Sequence, residues 1–281
     1  MTDTPTTVHR PPFAYFGGKT RIAPLIAAAM PSHEHYVEPF GGSLAALLAK
    51  TRSRMETVND LDGELMTFWR VLRDQPDELA RVCAMTPHSR AEYTAAFDRP
   101  SGLPDLERAR RVWVRLTQSR SGTLLSSAGW RHYVDPAGSV TSMPGYLAGY
   151  VDRMAPVATR LARVSLECQP ALELIERYGR SPNVLLYVDP PYLGATRVSG
   201  GYRHEMKTEH EHRELADALR GCRASVVLSG YDSPLYAELY QGWHVTRIDT
   251  TTGQGGARQE RTEVLWSNRA PEPTLFDLEA S

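Results

Sequence analysis

The stretch that most constrains this chain is residues 183–192, where an uncharged apolar run over 185–188 stops at Asp189, Pro190, Pro191 and Tyr192. Branched and aromatic residues without a charge are what a strand buried on both faces of a parallel sheet requires. Two successive prolines then forbid further pairing, because they lack the backbone N–H that a ladder needs. An acid, a rigid turn and an aromatic ring are thereby placed at the carboxyl end of a strand, where open α/β sheets hold their ligands. Asp-Pro alone would be an ordinary strand-ending turn. All four residues after such a strand predict a site.

The rest of the chain must then supply an α/β domain, and its 281 residues are enough for one with an insertion. Hydrophobic residues at 41% and charged residues at 23% are globular values and exclude a disordered chain. Cys83, Cys168 and Cys222 are odd in number and far apart, which points to neither a disulfide framework nor a zinc site. A reducing cytoplasm is expected. No apolar run reaches membrane-spanning length, and the polar start over residues 2–10 does not read as a signal peptide. A net charge of -1 does not mark a nucleic-acid binder, so any such role needs a local basic face. One candidate is Arg108, Arg110, Arg111, Arg115, Arg120 and Arg131, opposed locally by Asp105 and Glu107; a solvated helix face is the alternative.

Taken in order, residues 1–12 read as a flexible leader. Residues 13–19, ending Gly17-Gly18-Lys19, run into a helical pattern over 20–30. A glycine turn entering a helix offers backbone donors, and Lys19 can hold an anion. The upstream glycine of a P-loop is missing, since Phe13 stands there. Residues 35–43 read as a strand entering a second glycine turn, Glu38-Pro39-Phe40-Gly41-Gly42, followed by a helix. Residues 56–60 form another strand ending in Asp60, about 20 residues past that turn, where a ribose-binding carboxylate is expected. A helix cap is the simpler role for Asp60 alone. The six-residue glycine fingerprint of dinucleotide binders is absent.

From 62 to 161 the pattern becomes helical, near 65–72, 76–85, 90–97 and 106–115, with a Gly- and Ser-rich segment at 119–133 that can form a hairpin. Arg120, Trp130, Arg131 and Tyr133 give that segment the cation and aromatic character of phosphate and base contacts, although the rings can equally be core residues. The sheet resumes at 164–168 and continues through 185–188 and 224–229 to a closing antiparallel pair at 243–248 and 263–266. The stretch 193–206 reads as mobile. His204, His210 and His212 lack a metalloprotease frame, and Thr208 with Glu211 fits a capping box instead, so no metal is expected.

Tyr15 with Gly17-Gly18-Lys19, Glu38 to Gly42, Asn59-Asp60 and Asp189-Pro190-Pro191-Tyr192 resemble, in that order, the motifs of Dam-like, D12-class, α-type DNA N6-adenine methyltransferases. Tyr15 stands where that family often has Trp. The resemblance implies a Rossmann-like S-adenosylmethionine-dependent α/β sheet built from 1–61 and 162–281, with 62–161 as a helical target-recognition insertion. It implies cofactor contacts from Tyr15, Gly17, Gly18, Lys19, Glu38, Pro39, Phe40, Gly41, Gly42, Asp60 and Asp189, and catalysis by Asp189, Pro190, Pro191 and Tyr192. Double-stranded DNA is the implied partner, contacted through Arg120, Trp130, Arg131 and Tyr202, with the target base flipped out. Leu275-Phe276 in the Pro-rich tail resembles part of a sliding-clamp docking peptide. N4-cytosine methylation is the nearest alternative; a silent DNA-binding protein on the same fold is the alternative from another class.

Overall fold

The computed structural model describes residues 8–134, 141–192, 203, 205–252 and 259–270. Seven strands, β1 (His35–Glu38), β2 (Met55–Asn59), β3 (Ser165–Glu167), β4 (Val184–Val188), β5 (Ser225–Gly230), β6 (His244–Thr252) and β7 (Gln259–Ser267), form one sheet. Their order is β3-β2-β1-β4-β5-β7-β6, parallel from β3 through β5, with β7 antiparallel to both β5 and β6. The winding direction reverses between β1 and β4, so a crevice opens beyond their carboxyl ends. Those ends carry Glu38 and Asp189.

All five residues of β4 are buried, and they alternate between two apolar layers because successive strand side chains point to opposite faces. Leu185 and Tyr187 join the cluster that contains Tyr36, Val58, Phe68, Trp69 and Trp113. Val184, Leu186 and Val188 join the other, with Val37, Val226, Leu228 and Trp266. Short helices α1 (Ala23–Ala28) and α2 (Ala45–Ala49) precede β1 and β2, and α9 (Ala171–Tyr178), α10 (Glu209–Arg220) and α11 (Pro234–Leu239) cover this second face through residues such as Leu174, Leu215 and Leu235.

The first face is covered by the segment between β2 and β3. It forms α3 (Gly63–Asp74), α4 (Pro76–Ala84), α5 (Arg90–Ala95), α6 (Asp105–Gln118), α7 (Met143–Val151) and α8 (Met154–Leu161). These helices share one apolar cluster with the sheet, and Trp69 and Trp113 are completely buried in it. A buried ion triad pins the layer: Glu56 of β2 receives Lys50 at 2.9 Å and Arg160 of α8 at 2.8 Å, and Arg160 also donates to the Leu47 carbonyl.

Two expectations need correction. The leader is not loose over 8–12: the His9 amide bonds Leu48, Pro11 accepts from Arg153, and Pro12 accepts from the Trp113 indole, with Phe13 buried beyond them. Composition reads those residues as polar, but backbone carbonyls are acceptors whatever side chain they carry. The 119–133 segment is not a full hairpin. It holds one antiparallel bridge, Ser119 to Trp130, around a short 3-10 turn at Ser126–Ala128. Gly122 and Gly129 take positive φ there (61° and 72°), which bends the chain away from an extended ladder.

Candidate active site

Beyond the carboxyl ends of β1, β2 and β4 lies a cavity of about 360 Å³, within the range of about 300–1,000 Å³ typical of small-molecule sites. Tyr15, Gly17, Gly18, Lys19, Glu38, Pro39, Phe40, Gly41, Gly42, Asp60, Asp189 and Pro191 all line it. Segments separated by up to 176 positions in sequence, Tyr15 to Pro191, are thus brought to one concave surface.

Each lining group is held by its own local bonds. The Asp60 carboxylate at the end of β2 accepts the Gly42 amide at 2.9 Å and the Asp62 amide at 2.8 Å, which orients it against the glycine loop. Gly42 has φ 49°, and a Cβ there would come within 2.9 Å of the Tyr15 ring, so the ring lies directly on the loop. Leu44 also takes a left-handed φ of 54°, a conformation that costs about 1–2 kcal/mol; its side chain is fully buried, and packing offsets that strain. The Trp69 indole of α3 closes the turn by donating to the Gly42 carbonyl at 3.1 Å.

Electrostatically the cavity centres on Lys19, Asp189 and Glu38. Lys19 is buried, pairs with Asp189 at 3.0 Å, donates to the Gly17 carbonyl at 3.2 Å and lies 4.6 Å from the Tyr192 ring centroid. Burial raises the Asp189 carboxyl to about 6, with Lys19 acting in the opposite direction and the Glu263 charge reinforcing the rise. Burial also raises Glu38 to about 8, against the Tyr36 hydroxyl that donates to it at 2.9 Å. Glu38 is therefore neutral near pH 7, while Asp189 is largely ionised. Pro190 and Tyr192 are buried, and Tyr192 is turned inward, its hydroxyl donating to Glu263 at 2.6 Å and its ring 4.5 Å from that of Tyr231.

The expected basic face is mostly neutralised within the protein. Arg108 pairs with Asp105, Arg110 with Glu107 and Glu92, Arg111 with Glu107, and the buried Arg115 with Glu64. The sequence window shows only the local acids; Glu64 and Glu92 arrive from other helices. Arg120 and Arg131 remain, joined by Arg90, and no ion pair among the described residues engages these three. Arg90 lies over the Trp130 ring, which also stacks on His88 at 4.4 Å and His132 at 5.3 Å. Trp130 is half-buried and committed to these partners. Tyr202, the 253–258 loop and the tail with Leu275 and Phe276 lie outside the described residues.

Several lining residues were not anticipated. Thr123 and Leu124 enter from the insertion because the Phe16 amide bonds the Gly122 carbonyl at 2.8 Å and docks that loop on the first motif. Pro170, which caps α9, and Leu172, in the first turn of α9, enter from just beyond β3. Arg203 closes one side, donating to Asp62 at 3.1 Å and Glu64 at 2.9 Å. His212, fully buried behind the cavity wall and not lining it, bonds the Met206 carbonyl and the Tyr236 hydroxyl.

A sheet that reverses direction at β1 and β4, ends in an antiparallel β7-β6 pair and carries an acid-Pro-Pro-aromatic turn at the reversal is that of a Rossmann-like methyltransferase. The D12 class N6 adenine-specific DNA methyltransferase model matches residues 15–115 and 152–254, and the chain belongs to that family. It is thus an enzyme that methylates adenine at N6 in DNA. The chain is 23% identical over 283 residues to the Type II methyltransferase M1.LlaDCHI of Lactococcus lactis subsp. cremoris, across 92% of this chain and 95% of that one. Among solved structures, a precorrin 8W decarboxylase of Methanobacterium thermoautotrophicum aligns over 94% of this chain and all (100%) of that one at 9% identity with a TM-score of 0.43. A precorrin-6y C5,15-methyltransferase of Geobacter metallireducens aligns over 92% and 94% at 9% identity with a TM-score of 0.39. The internal interval between the two matched segments, 116–151, contains the loop with Arg120, Trp130 and Arg131.

Proposed function

We propose that the cavity holds S-adenosylmethionine and that Asp189 and the Pro190 carbonyl position the amino group of a flipped-out adenine beside it. The observation that carries this reading is the convergence of Asp60, the Gly41-Gly42 turn, Lys19 and Asp189 on one cavity at the β1/β4 switch point. The lining fits that cofactor. Asp60, oriented by two amides, is the ribose acceptor; Lys19 and the Gly17-Gly18 turn suit the amino-acid portion; Phe40 and Leu172 supply apolar walls. When bound, the cofactor supplies an electrophilic methyl group on sulfur.

The protein's part is orientation. Adenine's exocyclic nitrogen is a poor nucleophile because its lone pair is delocalised into the ring. Asp189, ionised above about 6, accepts one N–H and the Pro190 carbonyl accepts the other, which favours a pyramidal nitrogen with its lone pair free. This is positioning and electrostatic stabilisation without a covalent intermediate. A duplex hides that nitrogen, so the base must leave the stack, and the Tyr192 ring, packed beside Lys19 and Tyr231 at the end of the same turn, is the aromatic partner proposed for it. The exposed Arg90 and Arg120 and the half-buried Arg131 around Trp130 serve as backbone contacts, and the 116–151 interval carries target choice.

The test is nucleoside mass spectrometry of unmethylated duplex DNA incubated with protein and S-adenosylmethionine. N6-methyladenine from the wild type and none from Asp189→Ala is the expected result; N4-methylcytosine would replace the base assignment. Asp60→Ala is expected to weaken cofactor binding by calorimetry, and unchanged binding would contradict its role.

A further inference from the structure

Glu263 is 3% exposed on β7, on the same rim of the sheet as the active site, and belongs to none of the recognised motifs. An isolated buried carboxylate costs several kcal/mol, so its partners state what holds it there. One oxygen, Oε1, accepts the Tyr192 hydroxyl at 2.6 Å and the Ser229 hydroxyl at 2.5 Å, and lies 3.6 Å from the Lys19 ammonium. Lys19 in turn pairs with Asp189 at 3.0 Å and sits over the Tyr192 ring. Every side chain of the acid-Pro-Pro-aromatic turn that can bond is therefore tied, directly or through Lys19, to this one oxygen.

We infer that Glu263 is a positioning residue for methyl transfer: its Oε1 anchors the Tyr192 hydroxyl and so fixes the ring against which the extruded base rests. Tyrosine has few ways to turn once its hydroxyl is held, whereas an unanchored ring can swing with the Pro191 turn. Ser229, on β5, sets the position of the carboxylate from the other side. The inference rests on the proposed role of Tyr192 in receiving the base, and the charge near Lys19 is the competing reason for an acid at this position.

Two substitutions separate reach from charge. Glu263→Gln keeps an oxygen at the same distance and removes the charge; Glu263→Asp keeps the charge and withdraws the oxygen by one methylene. Turnover and cofactor affinity are measured for each, with base extrusion followed by the fluorescence of 2-aminopurine placed at an adenine that the wild type has been mapped to methylate. Glu263→Asp is expected to lower kcat about tenfold to a hundredfold, the scale of a misplacement near 1 Å, and to reduce the extrusion signal. Its cofactor dissociation constant is expected to stay within about threefold, the pattern of a lost transition-state contact. Glu263→Gln is expected to retain most of the wild-type kcat, and Tyr192→Phe to match Glu263→Asp with no additive loss in the double variant. Loss in Glu263→Gln with retention in Glu263→Asp would assign the residue to Lys19 instead and overturn the inference, as would wild-type turnover in both. A wild type that methylates no adenine at all would overturn the underlying reading first.

Discussion

Asp189 closes β4 with its carboxyl raised to about 6, chiefly by burial. In the proposed role the carboxylate is the stronger acceptor of the amino N–H, so kcat/KM is expected to fall as pH drops below about 6 and to level off above it. A profile flat from pH 5 to 8 would contradict that role. Glu38 has the opposite consequence for stability. Its carboxyl, raised from 4.5 to about 8, keeps in the folded state a proton that the unfolded chain has already released. The contribution is most favourable below the unfolded value and is lost as pH rises through about 8. Glu38→Gln keeps a neutral partner for Tyr36, and its melting temperature is expected to fall less than that of the wild type between pH 5 and 8.

At the scale of elements, β4 was readable because an uncharged branched run has few other destinations, and Thr208 with Glu211 does form the capping box at the start of α10. The ion triad that pins α8 to β2 was not readable, because Lys50, Glu56 and Arg160 are ordinary polar residues until the fold buries them together. Arg160→Met leaves Glu56 with half its compensation in a buried site. It is expected to cost about 3–5 kcal/mol in chemical denaturation, the scale of a broken buried pair. An exposed pair such as Arg180 with Glu176 is expected to contribute about 0–1 kcal/mol. The helical arginines illustrate the same limit: their spacing reads as a basic face, but Glu64 and Glu92 come from elsewhere in the chain to neutralise Arg115 and Arg110.

For the whole molecule, a net charge of -1 means that DNA attraction depends on local placement. Arg90, Arg120 and Arg131, beside the Trp130 stack, are the cations proposed to supply it. Replacing Arg131 with Ala is expected to weaken DNA binding similarly across sequences and to flatten the log-log salt slope by about 1. A slope unchanged in fluorescence anisotropy would remove Arg131 from the interface. The sequence by itself determined the strand that ends in Asp189, the glycine turns and the order of the motifs, because apolar periodicity, proline's missing donor and glycine's positive φ act within a few residues of each other. Only the tertiary structure decided that Lys19 pairs with Asp189, that Glu263 takes the Tyr192 hydroxyl and that Glu92 and Glu64 reach Arg110 and Arg115 of α6. Those contacts join residues far apart in the chain, and burial sets their partners and their charge.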